Sequence, residues 1–127
     1  MNKKFILETF NTHFKEFLED ILLLFPREVD LMTANTFLSS IVKVKRKLLL
    51  ECWYFWVYTK YNNEIENDNY DFFLNKNYQN DVGRNNKILN SIEKMRNKCK
   101  NINNENRSKI LLYVKNLSKL SKIYYTN

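Results

Sequence analysis

The sequence predicts an all-α fold: a compact bundle of five to six helices around a central aromatic-rich helix, forming one domain over residues 1–127. Three observations carry this. The chain has one glycine and one proline, and β-rich folds use both residue types for tight turns. Apolar side chains recur at 4-3-4-3 spacing in several segments, the period of a bundle helix. Leu48 to Tyr61 has no polar side and holds both tryptophans, Trp53 and Trp56, as suits an element covered on several sides. Hydrophobic residues make up 44% and aromatics 15% of the chain, enough to exclude a disordered polymer.

The elements follow in order. Phe10, Phe14, Phe17, Ile21 and Leu24 form the stripe of a first helix over 5–25, with Lys15, Glu16, Glu19 and Asp20 on its wet side. Pro26 disfavours helical geometry at Phe25, so this helix is expected to stop near Leu24. Asp30 is the expected N-cap of a second helix whose stripe is Leu31, Ala34, Leu38 and Ile41. Nothing between Val42 and Leu48 breaks a helix, so the second and third helices either run on or bend near Lys43-Val44-Lys45-Arg46-Lys47. A strand over Cys52 to Tyr58 stays open, because aromatics and Val favour strands and a short apolar run cannot be assigned by period alone. Helix is the favoured reading, since the flanks are helical in type and no second strand is available for pairing.

Residues 62–86 are Asn-rich and acidic, interrupted by Tyr70, Phe72, Phe73, Leu74 and Tyr78. One short helix is expected near Asp71 to Lys76, with Gly83 as a left-handed turn residue after it. The last two helices read as a hairpin. Residues 87–102 carry Ile88, Ile92, Met95, Cys99 and Ile102, and 106–125 carry Ile110, Tyr113, Leu117, Leu120 and Tyr124.

The order of motifs resembles a group of small uncharacterised proteins of large nucleocytoplasmic DNA viruses, the giant and algal viruses. The residues that carry it are Phe10 to Ile21 with Leu24-Phe25-Pro26, then Trp53, Tyr61 and Ile65. Asp68, Phe72 to Tyr78 and Asp81 follow, then Tyr113 to Ser121. Where that group would have an Asn-Pro-Lys-like break before the tryptophan helix, this chain has Lys45-Arg46-Lys47, which leaves the bend open. The resemblance implies a setting in the host cytoplasm or nucleus or in the virion, with other viral proteins as partners. It brings no catalytic residues.

Few chemistries find their residues here. His13 is the only histidine, and no pattern supplies it with a nucleophile or a second acid–base group. Cys52 and Cys99 fall at core positions and read as reduced buried thiols; a metal site needs clustered ligands. Phosphate-cradling loops need glycines that the chain lacks. No enzyme activity, cofactor or metal is therefore expected. The N-terminal apolar run, Phe5-Ile6-Leu7, is too short for a signal-peptide core, and the central apolar stretch is shorter than a membrane span. An intracellular, non-secreted protein with no membrane insertion is expected.

What points outward is charge. The net charge is +7, split as +2 over residues 1–50, −4 over 51–83 and +9 over 84–127. Lys115, Lys119 and Lys122 recur at i, i+4, i+7 and so share a helix face, and Lys94, Arg96, Lys98 and Lys100 extend it if the hairpin closes. Such a surface attracts phosphate backbones without reading sequence, or an acidic protein partner; a lysine face is also ordinary solvation. Lys43 to Lys47 reads either as a nuclear-localisation signal or as a flank of the core helix. Tyr70, Phe72, Phe73, Tyr78 and Tyr124-Tyr125 are a second outward feature, suited to protein contact or to core packing. The leading expectation is a non-enzymatic viral interaction protein that uses its basic C-terminal hairpin. The alternative is a small structural virion protein held by helix-face and aromatic contacts, with self-association among its modes.

Overall fold

The computed structural model describes residues 2–67, 88, 91, 94, 98 and 102–126. All regular structure among them is helical. Helix α1 spans Lys3–Leu24, α2 Val29–Val44 and α3 Leu48–Trp53. A π-helical turn, Tyr54–Tyr58, leads directly into α4, Thr59–Glu66, and α5 is Asn104–Thr126. Because α3, the π turn and α4 run on without a break, the described residues build four rods where the sequence suggested five or six. The helix expected at 71–76, its turn at Gly83 and most of 87–102 lie outside the described residues; positions 88, 91, 94 and 98 are helical.

Helix α1 starts at Asn2, whose side-chain oxygen accepts from the Lys4 N–H at 2.8 Å, a cap for one of the open donors of a helix start. It buries Ile6, Phe10, Asn11, Phe14, Leu18 and Ile21. Leu18 therefore replaces the expected Phe17, and Phe17 and Leu24 lie half-buried on the flank. The reason is that α1 is packed by α2, α3 and α5 together, so its stripe is set by several neighbours and Phe17 turns to stack on Tyr113 of α5 at 5.2 Å. Phe25 leaves helical geometry at φ −133° as Pro26 requires, its N–H still bonded to the carbonyls of Ile21 and Leu22. Helix α2 begins one residue before the expected cap: Glu28 precedes it without a side-chain bond, and Asp30 sits in its first turn. A carboxylate there meets the positive end of the helix. Val42 takes the buried position expected for Ile41.

The bend between α2 and α3 is real and follows from a contact distant in sequence. Lys45 leaves helical geometry at φ −125° and ψ 81°, and the buried Asn11 side chain donates to the Arg46 carbonyl at 3.0 Å. Asn11 thus satisfies an acceptor that the broken helix leaves open. The bend turns Leu49, Leu50, Cys52 and Trp53 into the core.

Trp53 is 6% exposed. Phe10 and Phe14 lie 6.4 and 6.3 Å from it between ring centroids, with the ring planes steeply inclined, the edge-to-face geometry that aromatic quadrupoles favour. Its indole N–H donates to Ser118 Oγ at 2.8 Å, and that hydroxyl donates in turn to the Val114 carbonyl at 2.7 Å. On α5 the buried face is Ile110, Val114, Leu117, Ser118, Ser121 and Tyr124, so Tyr113 and Leu120 lie on flanks instead of in the stripe. Two small serines outside the expected stripe join this buried face: Ser118 supplies the acceptor the indole needs, and Ser121 Oγ donates to the Ser118 carbonyl at 2.8 Å. The helix itself starts at Asn104, two residues earlier than its apolar period implied, since Asn103 Oδ1 caps it by accepting from the Asn106 N–H at 2.9 Å.

The π turn explains why the aromatic stretch looked apolar all round. The Thr59 N–H bonds to the carbonyl of Tyr54, five residues back, and the extra residue shifts the helix phase. Trp53 and Tyr58 both face inward, followed by Tyr61 and Ile65, while Phe55 is left 53% exposed. The rod is therefore not enclosed, as the sequence suggested, but carries one aromatic face in solvent. Helix α4 kinks at Tyr61 (φ −124°, ψ 26°).

Two outcomes test this packing. Ser118→Ala leaves a buried indole N–H without an acceptor and is expected to lower stability by about 1–3 kcal/mol in urea unfolding. Asn11→Ala frees the Arg46 carbonyl and is expected to speed amide exchange at Lys45 and Leu48 while α5 keeps its protection.

Candidate functional surfaces

The lysines singled out in the sequence fall in separate settings. Helix α5 puts Lys115, Lys119 and Lys122 on one face by its period, with Lys119 and Lys122 exposed and Lys115 half-buried. Lys122 Nζ lies 3.9 Å from Glu66 Oε1 and 5.9 Å from the centre of the Tyr58 ring, so this face abuts the acidic end of α4. Lys94 and Lys98 are exposed, and Lys98 meets Glu28 at 3.1 Å beside the start of α2. Arg96 and Lys100 lie outside the described residues. Lys98 and Lys122 thus spend part of their field on different carboxylates, both exposed pairs of the weak kind.

A second surface has no counterpart in the sequence pattern. Around the π turn, Tyr54 stacks on Tyr58 at 5.7 Å and on Tyr125 at 4.3 Å, and Phe55 lies 5.1 Å from Tyr54 and 5.3 Å from Tyr125. Tyr125 in turn meets Tyr124 edge-on at 5.2 Å. Onto the Tyr124 ring come two cations, Lys3 at 5.2 Å and Lys47 at 5.8 Å from its centre, an attraction of ammonium to the aromatic face. The start of α1, the α2–α3 bend and the end of α5 therefore meet at one end of the molecule. The basic run Lys43 to Lys47 was visible in the sequence; its partner Lys3 and the ring between them were brought together only by tertiary packing. Of the aromatics expected to face outward, Tyr124 is buried and Tyr125 half-buried, and Tyr70 to Tyr78 lie outside the described residues.

The remaining candidates for chemistry are dispersed. His13 Nδ1 lies 3.7 Å from Glu16 Oε2 on the same helix. Among the described residues no three His, Cys, Asp or Glu side chains group as a metal would require, and no helix among them is long and apolar enough to cross a membrane. Burial, and then the adjacent Glu51 carboxylate, push the Cys52 thiol up to about 11, so at neutral pH it is protonated and a poor nucleophile.

Tyr113 is tied to α1: its hydroxyl donates to Asp20 Oδ2. Burial and then that bond, with the charges of Asp20, Glu16 and Glu19, push its pKa up to about 12 from an ordinary 10.0. Between these two values the folded chain holds a proton that the unfolded chain has lost, so the contribution of Tyr113 is complete below pH 10 and disappears as pH rises to 12. Comparing urea unfolding across that window, Tyr113→Phe is expected to show a shallower loss of stability than the parent chain. An Asp20→Asn chain is expected to ionise Tyr113 at lower pH by ultraviolet titration.

These surfaces stand without a precedent to read them by: comparison with protein-family models, with curated proteins and with solved structures returned no match to this chain.

Proposed function

We propose that this chain is a non-enzymatic interaction protein that contacts the phosphate backbone of nucleic acid through the basic face of α5. The observation that carries it is the alignment of Lys115, Lys119 and Lys122 along one side of a 23-residue helix, with Lys119 and Lys122 exposed. A row of ammonium groups on a rigid rod displaces condensed counterions from a polyanion, and the binding is then sequence-independent and salt-sensitive. Lys94 and Lys98 are exposed as well and add to the positive charge of the molecule. The viral, host-cell or virion setting belongs to this proposal through the order of motifs that the chain resembles.

The alternative, a structural protein held in a larger assembly, draws on a specific feature. Leu23, Val29, Met32, Val44 and Leu112 are each at least half exposed, and apolar side chains left in solvent are the raw material of subunit contacts.

Binding to duplex DNA is expected to weaken steeply with added salt. Lys115→Ala, Lys119→Ala and Lys122→Ala together are expected to lower affinity and flatten the log–log salt slope by about 0.9 for each phosphate no longer neutralised. Equal affinity and slope in the triple variant would end the proposal for this face. Sedimentation of the purified chain at rising concentration tests the alternative, which a strictly monomeric protein would count against.

A further inference from the structure

We propose that the end of the molecule formed by the π turn, the α2–α3 bend and the last turn of α5 is a binding surface for single-stranded nucleic acid. It rests on the polyanion reading above and adds to it a strand type and a second location. Three independent observations meet there.

The first is the aromatic platform. Phe55 is 53% exposed, and it is held in place by Tyr54 and Tyr125 at 5.1 and 5.3 Å. Tyr54 is itself fixed between Tyr58 and Tyr125. A solvent-facing ring braced by other rings is already ordered, so a base that stacks on it loses little additional side-chain freedom. Unpaired bases have open π faces and stack on such rings whatever their identity, whereas bases in a duplex are already stacked on each other.

The second is the local charge. Lys3 and Lys47 stand over Tyr124, which is in contact with Tyr125. Lys45, Arg46 and Lys47 are all exposed at the bend. Among the described residues none of these cations takes part in an ion pair, whereas Lys98 pairs with Glu28 and Lys122 with Glu66. This end therefore keeps its positive field, where the α5 face gives up part of its own to Glu66. Glu51 is half-buried and acts on Tyr125. A strand crossing here accordingly directs its bases toward Phe55 and its phosphates toward Lys3 and Lys47.

The third is the backbone. Phe55 is carried on the continuous helical rod at the π turn, and Asn11 pins the bend through the Arg46 carbonyl at 3.0 Å. Rings and cations are thus both mounted on fixed elements, and π turns are frequent at functional sites.

Fluorescence anisotropy with a labelled oligothymidylate of about 20 nucleotides and a duplex of equal length tests the proposal on the full chain. The parent protein is expected to prefer the single strand. Phe55→Ala is expected to weaken single-strand binding about tenfold and to leave duplex binding unchanged. Lys45→Ala with Arg46→Ala and Lys47→Ala is expected to weaken it further and to flatten its salt slope by about 0.7 for each phosphate released from these cations. All these side chains are exposed, and an unchanged thermal melt and near-ultraviolet spectrum confirm that the variants fold.

Parent-level single-strand affinity in Phe55→Ala overturns the proposal, as does equal affinity for duplex or displacement by polyglutamate at matched charge. The two readings separate cleanly. If only the Lys115, Lys119 and Lys122 triple variant binds less tightly, the α5 face stands and this surface falls. Weakening only in the Phe55 and bend variants gives the reverse, and a parent chain that binds neither nucleic acid removes both.

Discussion

The bundle depends on the hydrogen bond between Trp53 and Ser118. A tryptophan that is 6% exposed must place its N–H on an acceptor, and the acceptor here belongs to a helix 65 residues further along the chain. The need for that bond explains several features at once. It places a small hydroxyl residue, Ser118, at the inner face of α5, where it is fully buried. It brings α5 close against α1, where Phe10 and Phe14 close the other side of the indole. It also fixes the phase of α5, so that Tyr113 moves to the flank and finds Phe17 and Asp20.

That arrangement leaves the rest of the aromatic stretch with a geometric problem, which the π turn solves. An uninterrupted α-helix from Leu48 onward would set Tyr58, five residues past Trp53, about 140° away from it around the axis. The π turn returns Tyr58 to the core, and Tyr61 and Ile65 follow it on the same rod. Phe55, two residues past the inward-facing Trp53, lies on the opposite side of the rod and stays in solvent. The exposed ring is thus a consequence of packing its neighbours, and a surface that suits a stacking partner arises from a demand of the core.

Charge follows the same logic. The highest density of basic residues per length is in the last third of the sequence, yet the folded protein sets Lys98 beside Glu28 at the start of α2 and Lys122 beside Glu66 at the end of α4. The bend at Lys45 to Lys47 carries fewer charges but meets Lys3 across an aromatic ring and keeps them available. Net charge by segment measures attraction at long range; local pairing decides where a phosphate can come to rest.

The sequence by itself determined the helical class, the stop at Leu24 before Pro26, the apolar character of each helix and the shared face of Lys115, Lys119 and Lys122. All of these rest on interactions within a few residues: proline sterics, the helical period and the scarcity of turn formers. Which neighbour in each stripe is buried, Leu18 over Phe17 or Val114 over Tyr113, was not legible, because several adjacent apolar residues satisfy the same period. Nor was the choice between a continuous helix and a bend near Lys45, the π turn, or the meeting of Lys3 and Lys47 on Tyr124. Those were decided by tertiary structure alone, since each depends on a partner far along the chain: a carbonyl for Asn11, a hydroxyl for Trp53, a ring for two cations.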